Sequence, residues 1–355
     1  MNFTPEISYS SVKQCLNCNN LKEITEIEII DNEITYEEFF LKFMCANRPC
    51  KFSSKFTDNW KSRKLWINND DKPNFDYLQR EFGDSLAPVA DCNIKLYNSH
   101  CKEDMSVKNY ISYWKRRYYS KGDSPCLYLK DWHFVRTPFH ADVFGSYSWS
   151  ANICGRKKWL LVPPEKEKIF SDSTGKLLFD IKLDSLNKLD VLEVIQEPGE
   201  IIFVPSGWHH QVWNLADTIS INHNWFNGCN INYICKQLHF ALKEVQKEIA
   251  DCKDMDYWDL QCQIILKTHH GMDLKEFCQL LQYIGNRSIT NLSRNKSNSD
   301  VIWHNVFDLL KVQEALQYIL NENLLNFDLK YEEDIILLNK LYEHALVPYN
   351  LLETV

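Results

Sequence analysis

Residues 197–210, EPGEIIFVPSGWHH, carry the pattern that decides the fold of this 355-residue chain. The stretch contains a Pro-Gly turn, a short apolar run, a second glycine turn and paired histidines. Closely spaced turn signals around a short apolar run indicate a β-strand. In the strand after the second turn, Trp208, His210 and Val212 share one face and His209 lies on the other, because strand side chains alternate. The stretch therefore predicts a β core that presents His210 directly after a tight turn.

A second stretch, residues 137–142 with the sequence TPFHAD, places His140 and Asp142 two positions apart. In an extended strand both side chains point to the same face and can reach one ion. With His210 they supply two imidazoles and one carboxylate, a facial triad that leaves coordination positions open and suits non-haem Fe(II). We therefore predict that His140, Asp142 and His210 bind the metal.

Patterns outside these stretches predict how the chain is organised. From about residue 127 to 225, short strand-like runs alternate with Gly, Pro, Asn and Asp turns, as expected of a β-barrel or cupin-like jelly roll. Thr35 and Glu38 form a capping box that opens a helix in the N-terminal third. Helical spacing of apolar residues predicts further helices at 75–82, 106–119, 233–249, 274–284, 301–320 and 332–346. The Ser- and Asn-rich run 288–299 is predicted to be an exposed loop.

We divide the chain accordingly into three segments. Residues 1–126 are predicted to form N-terminal helices and strands, 127–228 the β core, and 229–355 a helical C-terminal region. The C-terminal helices could cover the open end of the barrel or form a dimer surface, and the sequence leaves the oligomeric state open.

The order of the motifs resembles the JmjC branch of the 2-oxoglutarate oxygenases. The pattern of that family is His-x-Asp, then Gly-x-Lys-x-Trp, then Pro-Gly-Glu, then Pro-x-Gly-Trp-x-His, and the similarity covers most of residues 33–285. The resemblance implies a mainly β fold, a double-stranded β-helix with surrounding helices. It also implies Fe(II), 2-oxoglutarate and dioxygen as cofactors.

The resemblance also implies which residues bind 2-oxoglutarate. Lys157 holds the lysine position of GRKKWLLVPP (residues 155–164), and Lys158 should point to the opposite face of its strand. A buried carboxylate requires such a cation, since it is costly to bury unpaired. Family likeness adds the hydroxyls of Thr137 and Tyr128. It also points to two positions that depart from the family: Ser150, where several relatives have Asn, and Asn222, where some have Thr.

The closest resemblance is to a branch of lysyl hydroxylases that act on the translation termination release factor, and it is carried by residues 138–145, 148–164 and 204–225. It implies a protein substrate of that kind. Three alternatives remain open at this point. If the oxidised carbon were an N-methyl group, the protein would be an N-methyl-lysine demethylase. Zinc in the same site would suit a hydrolase. A barrel without catalytic activity would be a protein-binding module.

Bulk composition excludes other classes. The net charge is −8 without a basic block, so nucleic acid is not expected as a direct partner. No apolar run approaches a membrane span and no signal peptide pattern is visible, so the cytosol, with the nucleus as a second compartment, is expected. The 13 cysteines do not suggest a disulfide framework. Cys15 and Cys18 form the only Cys-x-x-Cys, and a structural zinc would need a second pair that the nearby sequence lacks.

Overall fold

The computed structural model describes residues 7–16, 24–96, 99–119, 127–129, 136–173, 175, 177–178, 181, 191–294 and 299–324. The strands of these residues are β1 (Glu28–Ile30), β2 (Cys50–Phe52), β3 (Leu86–Leu96), β4 (Ser99–Ser106), β5 (Leu127–Leu129), β6 (Arg136–His140), β7 (Tyr147–Cys154), β8 (Lys157–Val162), β9 (Leu192–Gln196), β10 (Ile201–Val204), β11 (His209–Asn214) and β12 (Ile219–Trp225). The α-helices are α1 (Tyr9–Leu16), α2 (Tyr36–Phe39), α3 (Lys61–Leu65), α4 (Phe75–Phe82), α5 (Val107–Tyr119), α6 (Ile231–Glu248), α7 (Trp258–His270), α8 (Leu274–Arg294) and α9 (Ser299–Asn321).

Two of the sheets form the predicted jelly-roll sandwich. The larger has the strand order β1-β2-β10-β7-β12 and the smaller β6-β11-β8-β9. Their inner faces share one apolar core, in which Trp159 and Val194 of the smaller sheet pack with Ile202 and Val204 of the larger. The predicted fold class is confirmed: a double-stranded β core with helices before and after it.

The last four described helices, which follow the sandwich in the chain, form a bundle. Apolar faces of α6, α7, α8 and α9 pack on one another around a core that includes Leu238, Leu266, Phe277 and Leu316. None of the helices in the described ranges is both long and apolar enough to cross a membrane.

Several sequence predictions for the helices are confirmed. The capping box has both of its bonds: the backbone N–H of Glu38 donates to Thr35 Oγ1 at 3.2 Å, and that of Thr35 donates to Glu38 Oε2 at 3.0 Å. The helix it opens continues from Phe40 to Cys45 as a π-helical turn. Helix α4 has the predicted bounds, and α5 begins one residue after its predicted start. The predicted helix over 332–346 lies outside the described residues.

The predicted loop over 288–299 is partly wrong. Helix α8 continues through Arg294, because Ser288 is buried and Ile289 and Leu292 pack into two of the apolar cores. Tertiary packing here outweighs the weak helix propensity of the Ser- and Asn-rich composition. The hairpin of β3 and β4, which forms a third sheet with β5, was not predicted from the sequence at all.

The turn before His209 is fixed by both backbone conformation and long-range contacts. Trp208 donates its backbone N–H to Pro205 O at 3.3 Å, and Gly207 lies between them with a φ of +76°. The Trp208 indole N–H donates to Asn47 O at 2.9 Å. Asn47 in turn donates from its side-chain amide to Ser206 O at 2.9 Å. The N-terminal segment thus holds the turn that positions strand β11.

Gly207→Ala is expected to destabilise the fold. A left-handed alanine costs about 1–2 kcal/mol, and its Cβ would lie 2.1 Å from the hydroxyl of Tyr233, so that ring must also move. Gly175→Ala is the matched control, because Gly175 has a similar φ of +83° and nothing within 4 Å of its Cβ position. Urea denaturation midpoints should fall more for Gly207→Ala than for Gly175→Ala. Equal losses would mean that the Tyr233 contact has no energetic importance.

Candidate metal centre and cosubstrate pocket

The structure brings the three predicted metal ligands together at the junction of β6 and β11. One ligand atom from each of His140, Asp142 and His210 lies within 4.8 Å of the other two. His140 and His210 face each other across the antiparallel pair, with ring centroids 4.4 Å apart. Asp142 follows the end of β6 and lies on the same side as His140. Two imidazoles and a carboxylate in this arrangement fit an open-sided divalent metal.

The neighbours of His210 keep it in the form that binds metals. Its Nδ1 lies 3.1 Å from the carbonyl of Trp208, and since a carbonyl can only accept, Nδ1 carries the proton and Nε2 keeps a free lone pair. Burial and, secondly, nearby His140 lower the pKa of His210 to about 4, although Asp142 partly offsets both effects. The imidazole is therefore neutral at physiological pH.

Asp142 is oriented by a neighbour on the larger sheet. The hydroxyl of Ser148, in β7, donates to Asp142 Oδ2. Ser148 is buried and pairs in register with Val204 on one side and Asn224 on the other. A hydroxyl group of the larger sheet thus orients a carboxylate that follows a strand of the smaller sheet.

The two consecutive lysines of β8 lie on opposite faces, as their alternation predicted. Lys157 points into the sandwich on the face of Trp159 and is only 5% exposed. Lys158 points outward and forms an ion pair with Glu193 at 2.8 Å. Among the described residues, none accepts a hydrogen bond from Lys157. Burial lowers its pKa to about 7, with a small opposing effect of Cys154.

Further unsatisfied polar atoms line the same interior. The Ser150 hydroxyl and both amide atoms of Asn214 are buried without a hydrogen-bond partner in the described structure. Ser150 lies opposite Ile202, a residue of the inner core, and Asn214 lies opposite Lys157. A buried cation and unpaired polar groups are costly unless a ligand satisfies them. These residues fit a carboxylate-bearing cosubstrate such as 2-oxoglutarate.

Asn214 is the residue of this pocket that sequence reasoning missed. The signal was available, since Asn214 lies four residues after His210 and therefore on the same face of β11. Asn222 pairs with Ser150 in register, but its side chain is exposed. The backbone of Thr137 lies in β6 opposite Val212, and that of Tyr128 lies in β5 opposite Ala90. The side chains of Thr137 and Tyr128 are outside the described part of the structure.

His209 lies outside the cluster, as strand alternation predicted. Its ring packs on Phe139 at 5.3 Å between centroids, and its Nδ1 is 4.0 Å from a carboxylate oxygen of Glu167. Burial lowers the pKa of His209, and Glu167 opposes that effect. The tandem pair His269 and His270 ends helix α7, followed by Gly271 in the left-handed C-cap position.

Comparison with known proteins agrees with this geometry. Residues 126–225 match the family model described as "JmjC domain, hydroxylase". The chain is similar to the 2-oxoglutarate and iron-dependent oxygenase JMJD4 of Gallus gallus, with 41% identity over 90% of this chain and 91% of that protein. The Danio rerio protein of the same name is also 41% identical, over 83% of this chain and 86% of its own length. A more distant relative is the arginine-specific demethylase JMJ20 of Arabidopsis thaliana, with 33% identity over 78% of this chain and 73% of that protein.

Proposed function

This chain belongs to the JmjC family of 2-oxoglutarate- and iron-dependent oxygenases, and we propose that it hydroxylates a lysine side-chain carbon of the eukaryotic translation termination release factor. One observation carries the proposal: the His140, Asp142 and His210 cluster shares the sandwich with Lys157, which is buried and has no hydrogen-bond partner among the residues that the structure describes. A zinc hydrolase would have no use for a buried cation beside its metal, and a silent binding module would have no reason to keep all three ligands.

Each residue then has a defined task. His140, Asp142 and His210 would hold Fe(II) from one side, with Ser148 and the Trp208 carbonyl fixing the orientation of two of them. Iron and 2-oxoglutarate bound there would supply the oxidising power needed to hydroxylate an unactivated C–H bond.

The cosubstrate pocket would be formed by the polar residues of the interior. Lys157 would pair with the distal carboxylate of 2-oxoglutarate, while Ser150 and Asn214 would supply hydrogen bonds to it. The apolar side chains of Trp159 and Val212 exclude water from the same interior, which strengthens each of these polar contacts.

Support for a lysine substrate comes from charge and from resemblance. A net charge of −8 attracts a cationic segment at long range, although salt screens that attraction beyond about 8 Å. Charge of this kind promotes encounter and does not select one lysine. The selection of the release factor rests on the similarity of residues 138–145, 148–164 and 204–225 to the lysyl hydroxylase branch. This substrate would place the enzyme in the cytosol, where translation terminates.

The proposal is tested by mass spectrometry of the substrate. Recombinant release factor is incubated with the chain, Fe(II), ascorbate and 2-oxoglutarate, and its peptides are searched for one added oxygen on a lysine. We expect the addition to require oxygen and 2-oxoglutarate, and to be absent with the Asp142→Ala variant.

A demethylase is the second candidate, because the Arabidopsis relative is named as one. The same attack on an N-methyl carbon would release formaldehyde instead of leaving a hydroxyl group. Methylated arginine and lysine peptides are therefore assayed in parallel. Demethylation of these peptides with an unmodified release factor would overturn the substrate proposal and leave the oxygenase family unaffected.

A further inference from the structure

Three cysteines from distant parts of the chain converge on the outside of the sandwich. Cys15 lies near the end of α1, Cys45 ends the π-helical turn, and Cys229 lies in the turn before α6. One sulfur from each lies within 4.8 Å of the other two. Cys15 and Cys45 are joined as a disulfide, and the Sγ atoms of Cys45 and Cys229 are 3.7 Å apart. Folding thus brings Cys45 and Cys229 to Cys15, the first cysteine of the Cys-x-x-Cys pattern.

We propose that in the reduced protein Cys15, Cys45 and Cys229 bind one structural Zn²⁺. Zinc prefers thiolates at about 2.3 Å in a tetrahedron, which separates neighbouring sulfurs by roughly 3.8 Å. The distance between Cys45 and Cys229 already matches that edge. A tetrahedral site takes a fourth ligand. Cys18 has the sequence spacing for it but lies outside the described residues, so the fourth position is left open.

The surroundings hold the thiols in place. All three pack against an apolar core that joins the N-terminal segment to α9. The turn of Cys229 is fixed by Asn227, whose Oδ1 accepts from the Cys229 backbone N–H at 3.0 Å, and by Asp308, which accepts from the backbone N–H of Gly228 at 3.0 Å. Because these contacts hold the backbone around the cysteines, the segment needs little rearrangement to bind a metal.

The site would tether helix α1 to the rest of the fold. Helix α1 contains eight residues, and a helix that short is unstable by itself in water. Zinc bound by Cys15 of this helix, Cys45 of the π-helical turn and Cys229 before α6 would cross-link all three segments. Structural zinc contributes folding free energy in this way.

The disulfide and the zinc site are alternative states of the same thiols. Breaking the Cys15–Cys45 bond takes two electrons and two protons, which a dithiol reductant supplies as it closes its own disulfide. Zinc then displaces the thiol protons to solvent as the thiolates bind.

The test counts metal in the full chain, after reduction with dithiothreitol and exposure to zinc. The chain carries His140→Ala and Asp142→Ala so that the iron site does not contribute. We expect one zinc per chain, lost in Cys229→Ala and retained in Cys235→Ala. Cys235 is the matched control, because it is a buried free cysteine on α6 that belongs to no metal-binding cluster in the described residues.

Cobalt binding gives a second test that does not depend on the folding of the Cys229→Ala variant. Co²⁺ added to the reduced protein should give thiolate-to-cobalt charge-transfer bands, which histidine and carboxylate ligands cannot produce. Absence of these bands, or zinc content unchanged by Cys229→Ala, would overturn the proposal. Because neither readout uses oxygenase activity, the proposed hydroxylation can fail without affecting this result.

Discussion

Asp142→Ala is expected to abolish 2-oxoglutarate turnover while leaving the chain folded. The variant removes the only carboxylate of the cluster, and two imidazoles alone no longer define a facial triad. Asp142 is half-buried at the end of β6 and contributes to no apolar core, so its loss should cost little stability. Activity is measured as oxygen-dependent succinate production, and folding by thermal denaturation.

Ser148→Ala is the graded control for this variant. It removes the hydroxyl that donates to Asp142 but keeps the carboxylate itself. Loss of a group that orients a ligand typically costs 10–100-fold in metal affinity or activity, and loss of the ligand should cost more. Excess Fe(II) should therefore restore Ser148→Ala and fail to restore Asp142→Ala. Full turnover by purified Asp142→Ala would refute the metal assignment.

Local patterns predicted the side-chain directions of the three candidate metal ligands, and the order of the motifs, which resembles the JmjC family, predicted that they meet. The spacing of His140 and Asp142 and the turn before His210 each fix a side-chain direction, and the alternation of β11 separates His210 from His209. The same alternation distinguished Lys157 from Lys158. These side-chain directions needed no knowledge of which strands pair, whereas the meeting of His140 with His210 depends on the pairing of β6 with β11.

Features that depend on pairing between distant segments could not be predicted from the sequence. The sulfurs of Cys45 and Cys229 come together across 184 residues, which no local spacing signals. The end of α8 is helical only because Ile289 and Leu292 find apolar cores to pack into. Asn214 is an intermediate case, since its face was predictable but its position opposite Lys157 depends on the register between β11 and β8.

Lys157→Ala is expected to raise the 2-oxoglutarate requirement sharply, and Lys158→Ala only slightly. Removing one partner of a buried charge pair costs about 3–5 kcal/mol, which corresponds to roughly 10²- to several 10³-fold in affinity. Lys158 forms an ion pair near the surface with Glu193, and such pairs contribute about 0–1 kcal/mol. Titration of 2-oxoglutarate against both purified variants measures the difference. The reverse ranking would show that the pocket lies on the other face of β8.

The pKa of Lys157 gives the same prediction a second readout. Burial lowers that pKa from 10.5 to about 7, so above pH 7 the free site is largely neutral and must take up a proton to pair with a carboxylate. Affinity for 2-oxoglutarate should therefore fall as pH rises above 7 in the native chain and stay flat in Lys157→Met.

In the ligand-free protein the unfolded chain binds more protons than the folded one between pH 7 and 10.5, so the contribution of Lys157 to stability rises with pH across that window. Below it the buried ammonium is a cost, and Lys157→Met should raise the melting temperature of the ligand-free protein at neutral pH. If Lys157 stabilised the fold, Lys157→Met would instead lower the melting temperature. A higher melting temperature together with lost 2-oxoglutarate binding would identify Lys157 as a binding residue that costs stability.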